Sequence, residues 1–249
     1  MSQDDFFIGW AEPPERDRRF FLRAGVALSA ATLGSAGVLA ALQSPTGTGN
    51  WDLSKEVELS GIVRASPYPM LRTRDLFGEP STVLLGPQGK CGVAARISSV
   101  ADTPVIVRGS LIQRDRHAML AVSDGPDWMR AAPNLETREL QFETPTLLAR
   151  LQLQGEILDS KCWLGAMRPA QGKVHKACAS LCIRGGIPPA FYVRDRSDQQ
   201  ALMLMTSHGL AHGTNLLPFV GEPVAIEGQI KRASGLLWLD APASTIRLL

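Results

Sequence analysis

Between Asp159 and Cys182 the chain reads DSKCWLGAMRPAQGKVHKACASLC, a stretch that holds three of the four cysteines and one of the four histidines. Cys162, His175, Cys178 and Cys182 make a Cys3His set, a known tetrahedral zinc donor set. With Met167 nearby the set also suits Cu(I), which takes thiolate, imidazole and thioether. The spacing C-x12-H-x2-C-x3-C departs from the C-x2-C of common zinc fingers. Two other chemistries use the same residues. A disulfide from Cys162 to Cys178 or to Cys182 would staple the stretch. Cys178 and Cys182 are poor partners for each other, because one helical turn holds their Cβ atoms ~6 Å apart against ~3.8 Å in a disulfide. Cys91 makes the count even, so a second bridge across the chain would use the remaining thiol. The third chemistry is a reactive or redox thiol, since an imidazolium three residues from Cys178 lowers a thiol pKa. No C-x-x-C accompanies it.

The local sequence says how these side chains would be held. GKVHKACASLCIRGG is helix-permissive, Gly185-Gly186 caps it and Ile187-Pro188-Pro189 forbids continuation. On such a helix His175, Cys178 and Cys182 share one face. Cys162 precedes a loop with Gly165, Pro169 and Gly172 that can fold back onto it. The remaining histidines carry less. His208 and His212 fall in SHGLAHG, where the glycines favour a loop with exposed turn histidines, and His117 in RDRHA reads as a solvated hairpin residue. Paired carboxylates, a P-loop, G-x-S-x-G and H-E-x-x-H do not occur, so the common hydrolase and nucleotide chemistries have no support.

The stretch sits inside a duplication. LSGIVRA (59–65) resembles LQGEILD (153–159), with Gly61 opposite Gly155, and TPVIVRGSLIQRDRHAMLAV (103–122) resembles EPVAIEGQIKRASGLLWL (222–239), with Gly109 opposite Gly228. TVLLGPQGKCG (82–92) and LMLMTSHGLAHG (202–213) match between those anchors. The apolar positions alternate as half-buried strands require, and the glycines mark bulges or sharp coiling. Units of four or five short coiled strands that must hide their edges close into small barrels. The expected fold is therefore mainly β: two tandem OB-like barrels, near 51–130 and 148–249, joined by a connector at 131–147. Pro145–Leu151 is expected as a short helix or an extended crossover. The second unit is longer just after its first strand, so the Cys/His helix is an insertion in it.

Ahead of the barrels lies AGVALSAATLGSAGVLAALQ (24–43), twenty residues without a charge and long enough to span a bilayer as a helix. Arg16, Arg18, Arg19 and Arg23 precede it, which places segment 1–23 in the cytoplasm and the rest outside, in a periplasm or its equivalent. Arg18-Arg19 followed by Phe20-Phe21-Leu22-Arg23 resembles a twin-arginine export signal, with Asp17 where Ser or Thr is usual. An ordinary signal anchor with arginine flanks is the alternative. Val38-Leu39-Ala40 is a tolerable cleavage site, but the aromatic and Pro-rich flank FFIGWAEPPERDRRFF argues for a retained anchor in the cytoplasmic membrane, with Phe6, Phe7 and Trp10 at the interface. Residues 44–50 read as a linker. Outside the cytoplasm unprotected thiols are oxidised, which strengthens the disulfide and metal readings over free thiols.

A net charge of +2 gives no basic field for nucleic acid, and with 6% aromatics no strand interleaves Lys/Arg with stacking rings, so nucleic acid is excluded as a partner. Asp159 to Pro189, together with the first 43 residues, resembles a signature of exported bacterial proteins that accompany membrane-bound respiratory oxidoreductases with molybdopterin and cytochrome b subunits. The resemblance implies a partner class, integral-membrane or periplasmic oxidoreductase subunits, and transfers no catalytic residue. The expected function is thus a membrane-anchored, non-catalytic accessory or structural subunit of an electron-transfer complex. The alternative is a zinc- or copper-binding or thiol-redox protein built on Cys162, His175, Cys178 and Cys182.

Overall fold

A computed structural model of the chain describes residues 14–42, 49–90, 92–194 and 200–249. Cys91, Phe6, Phe7, Trp10 and most of the linker lie outside the described residues.

The apolar segment is a single helix, α1 (Glu15–Leu42), long and apolar enough to cross a membrane. Its 28 residues amount to about 42 Å, more than the ~30 Å hydrocarbon core. The expected span at 24–43 is thus extended N-terminally, through the arginine segment. Helix-forming side chains and an i,i+4 ion pair between Glu15 and Arg19 support that first turn, and Pro14 stands just before it. Within the apolar part the Thr32 hydroxyl donates to Leu28 O and the Ser35 hydroxyl to Ala31 O, both at 2.8 Å, so these polar groups are satisfied inside the helix.

Residues 47–249 form a separate compact unit of two closed five-stranded barrels. The first contains β1 (Asn50–Arg64), β2 (Met70–Arg74), β3 (Pro80–Pro87), β4 (Pro104–Arg114) and β5 (His117–Val122), with a short α2 (Ala94–Ile97) before β4 and an edge strand β6 (Met129–Ala131). The second repeats this with β7 (Thr146–Asp159), β8 (Pro189–Arg194), β9 (Gln200–Ser207), β11 (Pro223–Ala233) and β12 (Leu236–Asp240); β10 (Leu210–Ala211) and β13 (Ile246–Leu248) add to its margins. Strand order is β1-β2-β3-β5-β4 in one and β7-β8-β9-β12-β11 in the other, each closed by its first strand pairing the last in the order, β1 on β4 and β7 on β11. In both, the third and fifth strands pair in parallel, Leu85 opposite Leu120 and Met205 opposite Leu239. The two halves are therefore the same topology, the order of an OB-type barrel. β7 begins at Thr146, so the run after Pro145 is extended and not helical.

The paired glycines mark the same point in each barrel. A Cβ at Gly61 would run into the carbonyl oxygen of Arg72 on β2, and one at Gly155 into that of Tyr192 on β8. Only a residue without a side chain lets the long first strand coil that tightly over the second.

Each barrel has its own interior. Val63, Leu71, Leu85, Val107 and Leu120 fill the first, and Ile157, Phe191, Met205, Val224 and Leu239 the second. A third apolar cluster is the seam between them: Met70, Leu84, Ile112 and Met119 from the first barrel meet Trp163, Leu164, Leu204 and Trp238 from the second, and Cys162 and Cys182 are part of it. Polar contacts cross the seam as well. The Tyr68 hydroxyl donates to Met205 O at 2.6 Å, and Arg114 Nη1 to Trp163 O at 3.0 Å. The helix α3 (Lys176–Arg184) and its preceding loop fill the chain between β7 and β8, where the first barrel has only residues 65–69.

Candidate metal centre

β7 delivers Asp159 to the seam with no solvent exposure, and this carboxylate organises the insertion. One oxygen, Oδ1, accepts the Cys162 N–H at 2.8 Å; the other lies 3.1 Å from His175 Nε2. A single buried side chain thus pins both ends of the loop that the glycines and Pro169 allow to fold back. Cys162 opens an irregular turn, Cys162–Ala166, and α3 carries Cys178 and Cys182. His175 is the residue just before α3, and the positive φ of Gly186 turns the chain after it.

The result brings the three cysteines to one point: their sulfurs all lie within 4.8 Å of one another. Cys162 Sγ is 4.0 Å from Cys178 Sγ, twice the length of a disulfide bond, and all three are free thiols. Neither the Cys162–Cys178 nor the Cys162–Cys182 bridge expected as an alternative is formed. The sulfurs share one locus, so geometry singles out no pair. Met167 Sδ stands 3.7 Å from Cys178 Sγ. His175 belongs to a second group with Asp159 and Cys162, within the same 4.8 Å limit, and not to the three-thiol group. The four residues expected as one ligand set are therefore two overlapping sets that share Cys162.

Two lysines that the sequence did not flag complete the site. Lys90, from the loop after β3 of the first barrel, places Nζ 3.0 Å from Cys178 Sγ and 3.5 Å from Cys182 Sγ. Lys161, 3% exposed, donates to the carbonyls of Pro87, Gln88 and Gly89 at 2.5, 2.6 and 2.8 Å. Gly92 N–H bonds Gly185 O, tying the same loop to the end of α3. The first barrel thus covers the sulfur cluster of the second.

The electrostatics follow. The hydrogen bond to Cys178 holds the Lys90 ammonium above its usual pKa. A hydrogen bond from the Cys162 thiol pulls Cys182 down, and Lys90 reinforces it against the cost of burial. Giving that bond, being buried and facing Asp159 all push Cys162 up. Burial pulls the Lys161 ammonium down. The site therefore favours thiolate at Cys182 with the Lys90 ammonium beside it, and soft donors outnumber hard ones.

The other histidines differ from expectation. His117 opens β5 and packs edge-on to Trp163, ring centroids 5.9 Å apart, and burial lowers its pKa. His212 has both ring nitrogens buried, and burial lowers its pKa against the backbone of Thr206 and Ala241, which favours the charged ring. Neither is a solvated turn residue; the seam between the barrels, invisible to local sequence, accounts for His117. His208 is exposed, as expected.

Comparison with protein-family models, curated proteins and solved structures finds no match of any of the three kinds.

Proposed function

We propose that this chain is a membrane-anchored protein whose soluble part holds a thiophilic metal ion, zinc or copper, on Cys162, Cys178 and Cys182. One observation carries the reading: three cysteine sulfurs, one from the turn at Cys162–Ala166 and two from α3, lie within 4.8 Å of one another, two of them buried, in a pattern that oxidation to any single bridge would break. The anchor is α1, and arginines at its N-terminal end support a soluble part facing the periplasm of a cytoplasmic membrane, delivered by a signal that includes Arg18 and Arg19. The likeness of the N-terminus and of Asp159–Pro189 to companions of molybdopterin and cytochrome b enzymes supports a place as a non-catalytic accessory subunit of such an electron-transfer complex. Lys90 beside Cys178 and Cys182 favours a second reading, a redox-active thiolate.

Metal analysis of full-length protein, purified in detergent without chelator, separates the two. One equivalent of zinc or copper, with thiols that react only after metal removal, supports the metal site. Absence of metal with a thiol that alkylates rapidly at neutral pH overturns it in favour of redox chemistry. Protease protection of the soluble part in inside-out vesicles, and its digestion in intact spheroplasts, tests the orientation.

A further inference from the structure

We infer that the ion is Cu(I) and that it enters through Met167, so that the centre is an exchange site and not a structural one. This rests on the metal reading above and specifies it.

Three observations point this way. The first is the donor set. Beside the three thiols stands the Met167 thioether, 3.7 Å from Cys178. The imidazole is held by Asp159, and the other neighbour on Cys178 and Cys182 is the Lys90 ammonium. A charged ammonium has no lone pair, so it fills that side without ligating. Structural zinc is almost always four-coordinate with thiolate, imidazole or carboxylate, whereas thiolates joined by thioether are a copper(I) set.

The second is the order of exposure. Met167 is 46% exposed, Cys178 half-buried, and Cys162 and Cys182 are 4% and 2% exposed. With Met167–Cys178 at 3.7 Å and Cys178–Cys162 at 4.0 Å, the sulfurs step from an exposed ligand to buried ones. An ion can move along them by exchanging one Cu–S bond for the next. Copper stays monovalent throughout, each bond made replaces one broken on the donor, and thiol protons leave to water as thiolates bind. A structural site has no need of an exposed ligand at its edge.

The third is the surface beside the entry. On α3, Leu181 lies three residues after Cys178 and so on the same face, and it is 50% exposed; Val174, just before the helix, is 83% exposed. Apolar side chains around a solvent-facing metal ligand suit contact with a protein that delivers or accepts the ion.

The test uses full-length, reduced protein in detergent, freed of metal and kept anaerobic. Cu(I) is supplied as its bathocuproine disulfonate complex, and zinc is titrated separately against a chromogenic chelator. The variants are Met167→Leu, which keeps volume at an exposed position, and Cys178→Ser. Wild type is expected to take one Cu(I). Met167→Leu should reach the same stoichiometry about tenfold more slowly, equivalent to about 1.4 kcal/mol on the transfer barrier, with zinc binding unchanged. Cys178→Ser should lose Cu(I) retention. Uptake by Met167→Leu at the wild-type rate overturns the entry route, and zinc retained in the presence of excess Cu(I) overturns the choice of metal; both leave the metal reading intact. Failure to hold either ion overturns the metal reading itself.

Discussion

Replacing Lys161 with methionine tests how the first barrel grips the insertion of the second. The change keeps an unbranched stem of similar volume in a position that is 3% exposed, and it removes three donated hydrogen bonds, to Pro87 O, Gln88 O and Gly89 O. Hydrogen bonds from a charged group contribute about 1.5–3 kcal/mol each, so the gross loss is large. Two corrections reduce it. The contacts to Gln88 and Gly89 are only part-buried, so water can take over those acceptors, and methionine does not carry the desolvation cost that pulls the ammonium pKa down. The Pro87 contact is buried and its acceptor stays unpaired. The net effect is about 2–4 kcal/mol of destabilisation. For an ordered unit of this size each kcal/mol moves Tm by about 2–4 °C, which predicts a fall of roughly 4–16 °C. Near-UV circular dichroism of the full chain in detergent reads it, with Lys173→Met as the control. Lys173 is exposed and its partner Glu222 keeps a second pair with Lys176, so this change should move Tm little. A Lys161→Met protein that melts within about 2 °C of wild type would refute the reasoning, because the loop at 87–89 would then not depend on the ammonium.

Further outcomes are as definite. Gly155→Ala places a methyl against Tyr192 O and 2.8 Å from Phe191 Cζ, and should cost about 1–3 kcal/mol in a denaturant titration; Gly213→Ala, with only the Asn215 side chain at 3.9 Å, should cost far less. Tyr68→Phe removes the hydroxyl that donates to Met205 O and accepts from His212 N at 3.2 Å, and should lower stability by about 1–3 kcal/mol. Asp240 is held below the usual aspartate range: burial works against this, but the Lys231 ammonium and the Gly209 N–H outweigh it. The stability it contributes is complete above its ordinary pKa, about 4, and is lost as pH falls through the lower folded value. Asp240→Asn should therefore be less stable than wild type at neutral pH, with the gap closing in unfolding curves measured below about pH 4.

The barrels were legible because their constraint is local and occurs twice. Gly61 and Gly155 stand where a first strand coils over a second, and Gly109 and Gly228 where the fourth meets the fifth, so sequence self-similarity carries the topology. The helix with Cys178 and Cys182 was legible for a related reason, since its face and its stop signals lie within about a dozen residues. What lay beyond reach was contact between distant segments. Lys90 meets Cys178 from 88 positions away, and a lysine in a Gly-rich turn looks like any solvated lysine. Asp159 left a faint local sign, a carboxylate three residues before a cysteine whose N–H it accepts, the spacing of a helix cap. His117 and Arg114 were assigned to a hairpin correctly, but the second barrel buries that hairpin against Trp163. No property of RDRHA itself reports a neighbour that far along the chain.

The loop after β3 also fixes when the sulfur cluster gains its cation. Its carbonyls and Lys90 come from the first barrel, and the residues they meet, Lys161, Cys178 and Gly185, follow some seventy to ninety positions later. Contacts that distant carry a larger loop-closure cost than the local pairings within each barrel. A chain whose first barrel has not folded therefore presents its thiols without the Lys90 ammonium beside them. The ammonium beside the thiols is a record that both halves have folded and met, so a chemistry that depends on that cation is switched on by assembly of the two barrels.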